Sequence, residues 1–95
     1  MGKRVAVITR DRDRQFEALR TSLGLLLEHH RVSLFVLDHD IECSERFLDN
    51  LGFIDEMDGD RYSDHPANVD RHGFRPLETE QMAQLLAAHD LVVPY

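Results

Sequence analysis

The chain has 95 residues, 42% hydrophobic and 31% charged, with 18 acidic against 11 basic side chains and a formal charge of -7. That length sets a single domain, 1–95, with a thin core, and the acidic balance argues against nucleic-acid binding, which runs on Lys and Arg. A lone cysteine, Cys43, excludes an internal disulfide, and no stretch approaches the roughly 20 apolar residues of a membrane span.

The charge is uneven. Residues 1–31 carry a balance of +3 and residues 32–95 a balance of -10. Two solvated faces, or two surfaces that attract across a subunit contact, both fit this asymmetry. Val5 to Ile8 is too short for the apolar core of a signal peptide, so a cytoplasmic location is expected.

Val5-Ala6-Val7-Ile8-Thr9 is a β-branched apolar run and reads as a buried parallel strand. From Asp11 to His30 the period changes: Phe16, Leu19, Leu23 and Leu26/Leu27 recur at three- and four-residue steps, as on one face of a helix. Asp11 or Asp13 can cap its start, and Gly24 is expected to allow close approach to the sheet. Val32 to Leu37 is a second strand, which completes a right-handed βαβ unit.

Ser44 to Leu51 predicts a short helix with Phe47, Leu48 and Leu51 inward and Gly52 as its stop. Arg61-Tyr62-Ser63 reads as a short strand broken by His65-Pro66, and Asn68 to His72 as one helical turn before Gly73. Glu78 or Thr79 opens a last helix through His89, and Leu91-Val92-Val93 closes the chain as a buried strand. The layout is α/β: a small, doubly wound, mainly parallel sheet of about four strands with helices on both faces. Val5, Val7, Leu19, Leu23, Leu34, Val36, Leu85 and Val92 are its expected core.

Ligands of such sheets gather at the carboxyl ends of the strands. The first loop there, Thr9 to Arg14, has no glycine, so the phosphate-cradling fingerprints are absent. Arg10 and Arg12 remain candidates for holding a small anion. The second loop, Asp38-His39-Asp40-Ile41-Glu42-Cys43-Ser44, offers Asp38 and His39 as ligand groups and Cys43 as a thiol near a helix start. The acids around Cys43 disfavour its thiolate. The third loop holds Ser63, Asp64, His65, Asn68, Asp70 and His72. Ser63, Asp64 and His65 invite a triad, but no strained nucleophile turn accompanies them. Pro94-Tyr95 ends the fourth strand-end segment. No spacing matches a specific metal site, and no cofactor is expected.

Three stretches together resemble the DsrE/DsrF-like family of sulfur-relay proteins: Lys3 to Thr9, Glu17 to Glu28 followed by Val32 to Val36, and Met82 to Val93. The resemblance implies a compact α/β sheet assembled as a trimer or hexamer. It also implies a cysteine at the end of the third strand, whose thiolate takes up sulfane sulfur as a persulfide and passes it on. The matching stretch here, Arg61-Tyr62-Ser63-Asp64-His65, has no cysteine. Ser63 or Asp64 takes the position, and neither can hold a persulfide.

The resemblance therefore implies a non-catalytic relative, a homo-oligomer or the partner subunit of a sulfur-relay protein. Two other readings stay open: a thiol or persulfide carrier using Cys43, and a small-ligand or metal-binding module using Asp38, His39 and Asp40 with His65 and His72.

Overall fold

The computed structural model describes residues 2–41 and 44–95. β1 (Arg4–Thr9) and β2 (Arg31–Val36) each bury five residues in succession behind an exposed arginine. A strand covered on both faces has that continuous pattern. Between them runs α1 (Gln15–Leu27), entered through a 3-10 turn at Arg12–Arg14. Asp11 caps that turn by accepting the N–H of Asp13 at 2.9 Å.

α2 (Glu45–Glu56) follows β2, capped by Ser44, whose hydroxyl accepts the N–H of Phe47 at 3.2 Å. β3 (Asp60–Ser63), α3 (Pro66–His72), β4 (Arg75–Pro76), α4 (Thr79–Ala87) and β5 (Leu91–Pro94) complete the chain. All pairings are parallel, and the strand order is β4-β3-β2-β1-β5. The protein is thus a small doubly wound α/β fold.

The order explains where the helices lie. Crossovers between parallel strands are right-handed. Three successive steps from β1 to β4 run one way, so α1, α2 and α3 share one face. The step from β4 to β5 runs back past the others, so α4 takes the opposite face. The core divides accordingly. Val5, Val7, Leu19, Val32, Leu34, Val36, Phe47, Leu51, Ile54 and Phe74 pack on the first face. Ala6, Ile8, Phe35, Leu37 and Leu77 pack on the second, with Met82, Leu85 and Leu86 of α4.

Several expectations need correction. The sheet has five strands, because Arg75-Pro76 adds β4 beside β3. Gly52 does not stop α2, which runs on to Glu56 because Ile54 supplies another buried contact at the i+3 position from Leu51. Leu48 is 36% exposed and lies off the Phe47-Leu51-Ile54 stripe. Gly24 is exposed, and a side chain there would meet nothing within 4 Å. The glycine that close packing does require is Gly59, where a Cβ would lie 2.7 Å from Ile54 Cγ2. Gly73 closes α3 in the left-handed conformation at φ 69°, as a helix C-terminus favours. Leu23 and Leu85 are only half-buried, and Val92 is 47% exposed. No helix among the described residues is long and apolar enough to cross a membrane.

Candidate functional site

Parallel strands deliver their loops to one edge, and here three of the candidate loops interlock. Ser63 ends β3, opposite Val36 in register, and is fully buried. Its hydroxyl donates to Val36 O at 2.7 Å. It accepts from His65 N at 3.1 Å and from Asn68 Nδ2 at 2.9 Å. One donor and two lone pairs are all a serine has, so this hydroxyl is saturated.

Asn68, on α3 and also fully buried, is the centre of the cluster. Its amide donates a second time, to His39 O at 2.9 Å, and its Oδ1 accepts Ile41 N at 2.8 Å. One side chain thereby stitches the loop after β2 to the loop after β3. Buried polar groups need such partners, because leaving one unpaired costs about 1–3 kcal/mol. Nothing in the sequence singles out Asn68 within its polar stretch; only the backbone groups brought to it make it central.

Asp64 acts on the same loop from outside, accepting Asp38 N at 2.9 Å. Asp38 holds a left-handed φ of 67°, a conformation aspartate tolerates better than most residues. The two candidate arginines meet these acids. Arg10 lies 3.5 Å from Asp38 Oδ2, and Arg12 lies 3.5 Å from Asp40 Oδ1. Both guanidinium groups therefore face carboxylates of the second loop. All four side chains are at least half exposed, so each pair is worth roughly 0–1 kcal/mol.

The histidines divide. His65 caps α3, its Nδ1 accepting Ala67 N at 3.3 Å. His39 Nδ1 lies 2.9 Å from Leu37 O; a carbonyl only accepts, so that nitrogen carries the proton. Nε2 of His39 is the one buried side-chain polar atom without a partner among the described residues. No group of three or more His, Cys, Asp or Glu among them is placed to hold a metal. Cys43 lies outside the described residues.

Beside Ser63, between α3 and the start of α4, is a cavity of about 240 Å³. Pro66, Val69, Pro76 and Leu77 give it apolar walls, and Asp64, Asp70 and Glu78 line it as well. The crevice between β1 and β5, where the direction of winding reverses, is where a ligand is expected in this architecture. Tyr95 occupies it. Its carbonyl accepts Arg10 N at 3.1 Å, its hydroxyl bonds Thr21 Oγ1, and Arg14 lies over its ring at 5.0 Å.

At the opposite edge, a cavity of about 360 Å³ is lined by Arg4, Arg31, Ser33, Asp58, Asp60 and His89, among others. His89 is held there through Nδ1 to Leu85 O at 2.6 Å and Nε2 to Ser33 Oγ at 2.9 Å. Sequence spacing gives no sign of this pair, which only the packing of α4 on β2 creates.

The chain matches no protein-family model, no curated protein and no solved structure. The class of protein therefore rests on fold and site alone: a five-stranded parallel α/β protein whose strand-end loops are tied to one another.

Proposed function

We propose that this chain is a non-catalytic, DsrE-like protein that works by self-assembly or as the partner subunit of a sulfur-relay protein. The observation that carries the reading is Ser63. At the strand end where the resembled family keeps its sulfur-carrying thiol, this chain has a hydroxyl that is fully buried and saturated by Val36, His65 and Asn68. Such a group has no free lone pair for a substrate, and oxygen in place of sulfur cannot form a persulfide. Arg10, Arg12, Asp38, Asp64 and His65 likewise have structural partners. His39 Nε2 alone among the described candidates lacks a partner, and this reading gives the chain's role to contact with other chains.

The test is to incubate the protein with a cysteine desulfurase and a persulfide donor, then weigh the intact chain. The expected result is no stoichiometric, transferable gain of sulfur. A gain of one sulfur atom that passes to an acceptor and disappears in Cys43→Ser would replace this reading with the carrier reading.

A further inference from the structure

The edge of the sheet away from the interlocked loops holds the cavity of about 360 Å³. Arg4 opens β1, Arg31 opens β2, and the two are register partners on neighbouring strands. Side chains alternate along a strand, and Val5 and Val32 pack into the core on the α1–α3 side. Arg4 and Arg31 therefore both project on the α4 side, and they line the cavity with Ser33 and His89. Parallel strands lie about 4.8 Å apart, so two like charges are set side by side.

The chain leaves that pair unmatched. Among the described residues, the arginines with a carboxylate partner are Arg10, Arg12, Arg14, Arg61 and Arg75. The guanidinium groups of Arg4 and Arg31 have neither an ion pair nor a hydrogen bond there. Two carboxylates line the cavity as well, but Asp60 Oδ1 lies 3.3 Å from Arg75 Nη2 and is already matched. Only Asp58 is left against the two arginines, so the lining keeps a positive surplus even with His30 and His89 neutral. Nor are the arginines needed to cap the helices that end at this edge. The last carbonyls of α1 accept the N–H groups of Glu28, His29 and His30, and those of α4 accept the N–H groups of Ala88 and His89.

The rest of the wall is neutral and held in place. Ser33 is 7% exposed, with its hydroxyl 2.9 Å from His89 Nε2. Leu26, Val32 and Met57 add apolar surface. The volume falls in the range of about 300–1,000 Å³ that small-molecule sites occupy.

We propose that this cavity binds a small phosphorylated ligand, with Arg4 and Arg31 clamping the phosphate and the apolar wall meeting the body that carries it. A guanidinium is a planar fork of donors that fits a phosphate, and two neighbouring forks match its double charge. A carboxylate would bring a single charge to two cations. The site is independent of self-assembly, because every group in it comes from one chain.

Isothermal titration calorimetry of the full chain at low ionic strength, with inorganic phosphate and with phenyl phosphate, tests this. Both probes should bind saturably, phenyl phosphate the more tightly. Arg4→Gln and Arg31→Gln should each weaken binding about 10-fold or more. Both positions are exposed strand starts, so neither change should unfold the chain. Asp58→Asn should tighten binding about two- to five-fold, since it removes the competing carboxylate. Asparagine tolerates the left-handed φ of 62° held there. Arg71→Gln, an equal loss of charge on α3 outside the cavity lining, should stay within about twofold of the wild type. If Arg71→Gln weakens binding as much as Arg31→Gln, the effect is one of net charge and the site is overturned. Failure of both probes to saturate below about 10 mM overturns it as well. Phenyl phosphate binding no more tightly than inorganic phosphate would overturn the part given to the apolar wall and leave a site for the phosphate group alone.

Discussion

On one face of the sheet, α1, α2 and α3 enclose a core in which Leu19, Phe47 and Ile54 are at most 1% exposed. On the other, α4 alone lies over the same strands, and none of its residues is buried. Topology produces this contrast. With right-handed crossovers, the order β4-β3-β2-β1-β5 gives three helices to one side and one to the other. Five strands about 4.8 Å apart span roughly 20 Å, and a helix is about 10 Å across. One helix cannot cover such a sheet, so part of the second face must stay open or be covered by another molecule.

The sharpest way to break the contrast is to truncate one apolar side chain on each face. Phe47 on α2 is 1% exposed and packs its ring 6.1 Å from that of Phe16. Phe47→Ala should cost about 3–5 kcal/mol in denaturant unfolding at fixed protein concentration. That is a large part of the stability of a domain this size. Leu86→Ala on α4 removes a half-buried side chain and should cost about 1–2 kcal/mol. Equal losses at the two sites would mean that α4 is packed as firmly as α2.

The next effect in size belongs to the polar stitch between the strand-end loops. Asn68→Ala removes three side-chain hydrogen bonds at a buried site, the one from Ile41 N–H among them. The expected loss is about 2–3 kcal/mol. Hydrogen exchange at Ile41 should quicken well beyond what that global loss explains, because the residue anchors one loop locally. Unchanged protection at Ile41 would show that the loop is held by something else.

How far each element could be read in the sequence follows from how local its cause is. β1 and β2 are continuous apolar runs, and α1 repeats Leu at helical spacing, so the β-α-β beginning was plain. Arg61-Tyr62-Ser63 and Asn68 to His72 are also legible, through the break at His65-Pro66 and the stop at Gly73, although the strand begins at Asp60 and the helix already at Pro66. β4 was not: Arg75-Pro76 carries no apolar signal, and only Tyr62 and Ser63 beside it make it a strand. β5 reads as a buried strand, yet three of its four residues are exposed. Leu-Val-Val reads the same whether or not a helix covers it, and cover is decided by topology. The candidate site behaved likewise. Its residues were visible as loop contents, but the match of Arg10 to Asp38 and Arg12 to Asp40 depends on β1 and β2 being neighbours. The role of Asn68 depends on two loops closing over it.

The smallest expected effect is at those arginine pairs, and it sharpens the contrast between buried and exposed polar contacts at the same edge. Arg12 and Asp40 are 3.5 Å apart with side chains 56% and 50% exposed. Water and salt screen such a pair, and holding two long side chains in place costs conformational entropy. Arg12→Ala should therefore change stability by less than about 0.5 kcal/mol, and raising the ionic strength should leave the difference between variant and wild type almost unaltered. Asn68, a neutral side chain at the same edge, should outweigh this full ion pair several-fold because its partners cannot turn to water when it is removed. A loss above about 1.5 kcal/mol for Arg12→Ala would mean that the pair is held more rigidly than its exposure implies. The strand-end rim would then depend on charge as much as on its buried amide.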